Sequence, residues 1–265
     1  HYSLYIPFLL LSKKRDVKII LDVHDLPSFN NIISFQLVLL IEKIIIRNVN
    51  YLFLASKYFK PFYSGKKTLL IDNIPPNQNS NTNALKSTKN RIIRIGFVGK
   101  LRYPELYRLV IECINKFDNL QFHFYGDGSA GEILRDFSNK LNTNNIFFHG
   151  LFNKNELEKI YSEIDLLWAC YPPSNYNVKY ATSNKALESL HFNTPCVFSS
   201  GTLLAKDYKS KNLGFSINPN NKSEINYFFE NLNHEKLDTV SKNIFDVDTP
   251  NMNSYRKSLK DFLKL

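Results

Sequence analysis

Cysteine is sparse in this chain: three residues in 265, at Cys113, Cys170 and Cys196, with no CxxC pair among them. An odd, scattered set argues against a disulfide framework and against a zinc finger. It suits reduced thiols buried in the core of a cytosolic protein. A membrane span is missing too, because no uncharged run approaches the ~20 residues a crossing helix needs. The best candidate, Asn31 to Ile46, is interrupted by Glu42 and Lys43. It fits a core helix better, with contact at a membrane surface as the alternative. Tyr2 to Leu11 is apolar but lacks the basic start and small-residue cleavage site of a secretory leader. The chain opens on His1 and not on Met, so its first residue is treated as an arbitrary cut. No nucleic-acid module and no short internal repeat is recognisable.

Negative charge is in deficit: 24 Asp and Glu stand against 34 Lys and Arg, a formal net charge of +10. Such a surplus favours anionic partners, whether phosphorylated substrates or acidic lipid, although runs such as Lys13-Lys14-Arg15 and Lys66-Lys67 also suit solvated loops. With 43% hydrophobic and 14% aromatic residues, the chain is globular and can bury a substantial core.

Apolar runs alternate with amphipathic stretches almost throughout. That pattern reads as repeated β–α units around parallel sheets covered on both faces. Strands are expected at 17–23, 50–55, 68–71, 92–98, 120–125, 146–149 and 166–169, and from Cys196. Helices are expected at 28–47, 56–63, 105–116, 131–141 and 154–162, from Thr182, and from about Ser254. Residues 77–90 are rich in Asn, Ser, Thr and Lys and read as a linker. The expected organisation is a partial α/β domain at 1–76, that linker, a complete α/β domain at 91–240, and a tail at 241–265 closing on a helix that can pack back on the first domain.

The segment Thr182 to Val197, TSNKALESLHFNTPCV, carries the densest chemistry. Thr182, Ser183 and Asn184 are favoured N-cap residues, and a helix start offers open N–H groups and a partial positive charge to a phosphate. Lys185 adds a full positive charge. Glu188 falls one turn on, where a carboxylate can accept from ribose hydroxyls. A capped surface helix with a Lys/Glu pair is the alternative. Asn193-Thr194-Pro195 ends the helix.

Other segments extend the pattern. Ile95-Gly96-Phe97-Val98-Gly99-Lys100, Phe124-Tyr125-Gly126-Asp127-Gly128 and Phe147-Phe148-His149-Gly150 are strands that end in glycine turns. With Ser183-Asn184-Lys185, Glu188 and Pro195 in that order, the second half resembles the donor-binding half of the GT-B glycosyltransferases, the retaining, family-4-like group 1 enzymes. Asp22-Val23-His24-Asp25, the strand with Ser56, and the Ile71-Asp72-Asn73 turn resemble the later part of that family's acceptor domain.

The resemblance implies two Rossmann-like doubly wound domains, the first incomplete. It implies transfer from a UDP- or GDP-sugar to a lipid-linked or polysaccharide acceptor, as in capsule or lipopolysaccharide synthesis by a bacterium. Neither a metal nor a cofactor is implied, and the setting is cytoplasmic, peripheral on the inner membrane face. By the same resemblance His24 approaches the donor sugar. Arg102, Lys100 and Lys185 face the diphosphate together with Ser183 and Asn184, Gly126 and Gly128 shape the turn, and Glu188 holds the ribose. The chain departs from the family at Tyr180, where a glutamate is usual eight positions before the ribose-binding one. Two rivals remain: a metal-dependent enzyme using Asp246-Val247-Asp248, and a catalytically silent nucleotide-binding or membrane-surface subunit of the same fold.

Overall fold

The structure, a computed structural model, describes residues 18–27, 31–47, 49–71, 92–247 and 252–263. The linker at 77–90, the exit turn beyond Ile71, Tyr2 to Leu11, the run Lys13-Lys14-Arg15, the expected helix start at Ser28 and Asp248 lie outside the described residues.

The chain runs through β1 (Ile20–Val23), α1 (Ile32–Ile46), β2 (Tyr51–Leu54), a 3₁₀ helix (Lys57–Tyr63) and β3 (Thr68–Leu70). Then follow β4 (Ile93–Val98), α2 (Pro104–Ile114), β5 (Leu120–Tyr125), α3 (Gly131–Lys140), β6 (Ile146–Gly150), α4 (Leu157–Glu163) and β7 (Leu166–Ala169). The last part holds α5 (Tyr176–Tyr180), α6 (Asn184–His191), β8 (Cys196–Ser199), α7 (Leu203–Ser210), β9 (Phe215–Ile217), α8 (Lys222–Glu230), α9 (His234–Phe245) and α10 (Met252–Leu263). Two compact units result. The first gathers His1–Ile74, Ser174–Thr182 and Pro250–Leu265, and the second gathers Pro75–Pro173 and Ser183–Thr249.

In the first unit β1, β2 and β3 pair in that order, all parallel. Asn31 caps α1 by accepting from Ile33 N at 2.8 Å, and Phe35, Leu39 and Ile46 bury its inner face. Glu42 is buried on that same face, where Tyr63 Oη donates to its Oε2 at 3.0 Å. That bond offsets the desolvation of a buried carboxylate. The segment carrying α5 docks here: Tyr176 stacks on Phe35 with ring centroids 4.5 Å apart, and Ser56 Oγ donates to Tyr180 O at 2.8 Å. Tyr180, at the family's glutamate position, packs edge-on to Phe62 at 4.9 Å. Asp25 Oδ1 accepts from Asn177 Nδ2 at 2.7 Å. In α10 the carbonyl of Phe262 accepts from Lys67 Nζ at 2.8 Å.

The second unit is built on a six-stranded parallel sheet ordered β6-β5-β4-β7-β8-β9. Its central strands are almost wholly buried because helices cover both faces, which is why they read as nearly continuous apolar runs, interrupted in β4 by the exposed Arg94. Trp168, Phe97, Phe122 and Phe124 fill the core with Tyr107 and Val110 of α2. Pro104 starts α2, where a missing N–H costs nothing. Chain direction along the sheet reverses between β4 and β7, and open parallel sheets bind ligands beyond the strand ends at such a point. All three cysteines are buried and free.

The reading of residues 200 to 245 needs correction. The expected elements leave the stretch between the strand at Cys196 and the helix near Ser254 empty, and the structure fills it with α7, β9, α8 and α9. The asparagines that suggest loop are helix caps: Asn221 accepts from Ser223 N at 3.0 Å and Glu224 N at 3.2 Å, and Asn233 accepts from Lys236 N at 3.0 Å. Behind those caps, Ile225, Phe229, Leu237, Val240 and Ile244 are buried at helical spacing. The helix expected at 154–162 opens as a 3₁₀ turn before becoming α4.

A histidine pair sets an acid limit on this unit. His123 Nδ1 lies 3.0 Å from His149 Nε2, so one imidazole must be neutral to accept. Burial, then the His149 and Arg94 charges, pulls His123 down from 6.5 to about 4. Burial also lowers His149. The folded state thus resists protonation that the unfolded chain accepts near pH 6.5. Stability is therefore full above that pH and falls as the pH drops toward 4. The loss expected from His123 is up to ~3 kcal/mol. Denaturant titrations from pH 7 to 4 should show this slope, and His123→Gln should flatten it.

Candidate active site at the switch point of the second sheet

Two turns meet beyond the strand ends. After β4 comes Gly99-Lys100 and after β5 comes Gly126-Asp127-Gly128, tied by Gly99 N donating to Tyr125 O at 2.8 Å and Leu101 N donating to Asp127 O at 3.1 Å. The closeness requires glycine at 126: its φ is +122°, and a Cβ there would stand 2.0 Å from Gly99 O. Gly99, Lys100, Gly126, Asp127, Gly128, Leu151 and Phe152 line an open cleft of about 570 Å³. Leu151, 84% exposed, forms an apolar rim beside charged and backbone groups.

The start of α6 approaches the same turn. Ser183 is its N-cap and accepts from Lys185 N at 3.2 Å. A methyl group placed on Gly99 would lie 3.6 Å from Lys185 Cε, so the lysine side chain passes over the glycine turn. Lys185 Nζ lies 2.7 Å from Glu188 Oε2, each side chain only 13% exposed. That burial separates the pair from an ordinary solvated i, i+3 bridge, which contributes little. Tyr161 Oη also donates to Glu188 Oε2. Both bonds fall on Oε2, and Oε1 takes none among the described residues. Burial, and then the Glu188 charge, raises Tyr161 well above the usual tyrosine range, so it stays a donor. Phe192 stacks on Tyr161 at 4.5 Å and fixes its ring.

The structure therefore brings together Lys100, Gly126 and Gly128 at the cleft, and Ser183, Asn184, Lys185 and Glu188 along one helix start beside Gly99. Arg102 is exposed and does not line that cleft. His24 belongs to the first unit, 72% exposed at its side chain, with Nε2 3.0 Å from Asp22 Oδ2. Thr182 is not the cap; its Oγ1 donates to Ser56 Oγ at 3.0 Å within the first unit. Asn193, past the end of α6, takes φ +48°, a left-handed conformation that asparagine tolerates. Sequence reasoning missed Tyr161. Its spacing within α4 marks it only as a core residue, and nothing local reveals that α4 and α6 meet there. Asp246 is the C-cap of α9. Among the described residues, no group of three or more His, Cys, Asp or Glu is placed to hold a metal.

The second unit, a doubly wound parallel sheet with glycine turns and a capped cationic helix start at its switch point, has the architecture of one half of a GT-B glycosyltransferase fold. The family model for the group 1 glycosyl transferases matches residues 92–229, more than half of the chain, and the chain belongs to that family. Among solved structures it is similar to HepE of Anabaena in complex with UDP and glucose: TM-score 0.71, 14% identity, covering 100% of this chain and 76% of that one. It is also similar to sucrose-phosphate synthase from Thermosynechococcus elongatus, with TM-score 0.71, 14% identity, and 96% and 69% of the two chains covered. A mutant TarM of S. aureus, solved with UDP among its ligands, matches with TM-score 0.63 and 15% identity over 94% of this chain and 51% of that one. At such identities the likeness is one of fold. No curated protein matches the chain significantly in sequence.

Proposed function

We propose that this chain transfers a sugar from a nucleotide-diphosphate sugar to a lipid-linked or glycan hydroxyl, with retention and without a metal ion. The observation that carries the reading is the half-enclosed Lys185–Glu188 pair at the α6 start, passing over the Gly99 turn. In such a transfer the bond from the sugar to the diphosphate breaks, and negative charge accumulates on the leaving group. A lysine and a helix start fixed in place stabilise that charge without reorganising. Lys100 adds positive charge on the turn after β4, and Glu188 Oε1 is open to ribose hydroxyls; Arg102, which does not line the cleft, is assigned to the diphosphate by resemblance alone. His24 is assigned to the donor sugar by resemblance alone. UDP is the first nucleotide to test because HepE was solved with it.

The full-length gene product, mixed with a panel of UDP- and GDP-sugars and lipid-linked acceptors, is expected to release one nucleotide. Chelator should leave the rate unchanged; loss of activity with chelator would remove the metal-independent reading. One observation favours a second reading, a silent nucleotide-binding subunit: Tyr180, in place of a carboxylate, is packed on Phe62. Nucleotide binding without turnover on any donor would support that reading instead.

A further inference from the structure

His149 is the one residue of β6 that the ladder with β5 leaves out. Phe148 pairs with Phe124 and Gly150 with Tyr125, so β6 carries one residue more than the strand beside it. Bulges of this kind re-aim the chain, are rare between parallel strands and gather next to functional sites. Past the extra residue, Gly150 takes φ +76° and its carbonyl accepts from Gly126 N at 2.7 Å. The next two residues, Leu151 and Phe152, are the apolar side chains of the cleft lining. The bulge thus joins the body of the sheet to the apolar wall of the cleft.

The bulged side chain is held by two neighbours. Tyr125 stacks on its imidazole with ring centroids 4.1 Å apart and planes 5° apart, and Tyr125 Oη donates to Glu163 Oε2 at 3.3 Å. His123 Nδ1 faces His149 Nε2 at 3.0 Å. Gln121 sets the direction of that bond. Its Oε1 lies 3.4 Å from His123 Nε2 and only accepts, so His123 carries its hydrogen on Nε2 and receives the His149 hydrogen at Nδ1. Stability alone does not call for this arrangement. Burial lowers both imidazoles from their ordinary range, a cost that a phenylalanine at either position would not carry. Two nitrogens supply direction, which a hydrocarbon pair lacks, and that direction fixes how the bulge is turned.

We propose that His149 is a positioning residue for the donor nucleotide. Its bond to His123 and its stack on Tyr125 hold the bulge. Through Gly150 the bulge holds Leu151 and Phe152 where the ring system of a nucleoside lies against them, while the diphosphate goes to the α6 start. The inference rests on the nucleotide-sugar reading and concerns only the nucleoside end of that ligand.

The test is calorimetry of the full chain with UDP, GDP and inorganic pyrophosphate. For whichever nucleotide the parent binds, His149→Ala should weaken binding about tenfold, the scale of one lost hydrogen bond, and leave pyrophosphate almost unaffected. His149→Gln, whose amide nitrogen donates to His123 Nδ1, should recover most of the affinity that alanine loses. A role confined to holding the sheet together would lower the melting temperature without separating nucleotide from pyrophosphate. In the unaltered protein, the nucleotide should shift the His149 Cε1–H resonance and pyrophosphate should not, a measurement that needs no variant. The proposal is overturned if His149→Ala binds the nucleotide like the parent, or if nucleotide and pyrophosphate weaken together. It is equally overturned if glutamine does no better than alanine, or if the nucleotide leaves the His149 resonance in place. A parent that binds neither UDP nor GDP would remove the nucleotide-sugar reading itself, and this inference with it.

Discussion

Lys185→Ala is expected to lower sugar transfer by about 10²–10³-fold, the usual cost of removing one fixed group that stabilises charge on the transition state. The loss should fall mainly on kcat, because charge on the diphosphate grows as the sugar departs. Glu188→Ala should act differently. It removes the carboxylate proposed to accept from ribose hydroxyls, which also receives Lys185 Nζ and Tyr161 Oη. Affinity for UDP should fall roughly 10–100-fold, the range for a hydrogen bond to a charged group. Calorimetry with UDP and with a 2′,3′-dideoxy analogue separates the two effects. The analogue should bind parent and Glu188→Ala almost equally, whereas Lys185→Ala should weaken both ligands. If Glu188→Ala binds UDP as tightly as the parent, the carboxylate does not hold the ribose and is only the partner of a buried lysine.

Gly126→Ala should have the largest effect on the fold of any single methyl group at this site. At φ +122° an alanine is strained, and its Cβ would press into the Gly99 carbonyl, a backbone atom that cannot swing away. Relief requires separating the turns after β4 and β5, at the expense of the Gly99–Tyr125 and Leu101–Asp127 backbone bonds. A loss of about 2–4 kcal/mol is expected. Trp168, the chain's single tryptophan, is fully buried in the same unit and reports the unfolding transition by fluorescence. UDP affinity should fall together with stability, because Gly126 and Gly128 line the cleft. Stability equal to the parent's would mean that the two turns are not held as closely as the geometry indicates.

Much of this architecture was legible because strands buried on both faces write themselves as apolar runs. LQFHFY and LLWA are β5 and β7 residue for residue. A capped helix start within Thr182–Asn184 was equally plain, since a polar side chain before a helical pattern has a local physical use, but only the structure selects Ser183 as the cap. Asparagine misled the reading near the C-terminus: it is common in loops and common as a cap, and only the buried faces of α8 and α9 decide between the two. At the site, residue types were readable and partnerships were not. Lys185 and Glu188 lie on one helix face by spacing alone, but Tyr161 joins them only because α4 and α6 converge. The sequence favours Arg102 over Lys100 as the site cation, whereas the path of the turn after β4 brings Lys100 and not Arg102 to the cleft.

The order of residues by itself determined the β–α rhythm, the family motifs and the N-cap chemistry, because each depends on neighbours a few positions apart. It could not determine that residue 180 would be taken up by the first unit's core, or that Leu37, Leu40 and Ile44 on the outer side of α1 would stay exposed. Both depend on which distant surfaces close over a side chain. That is settled by the competition of all apolar faces for burial, and only the assembled tertiary structure contains it.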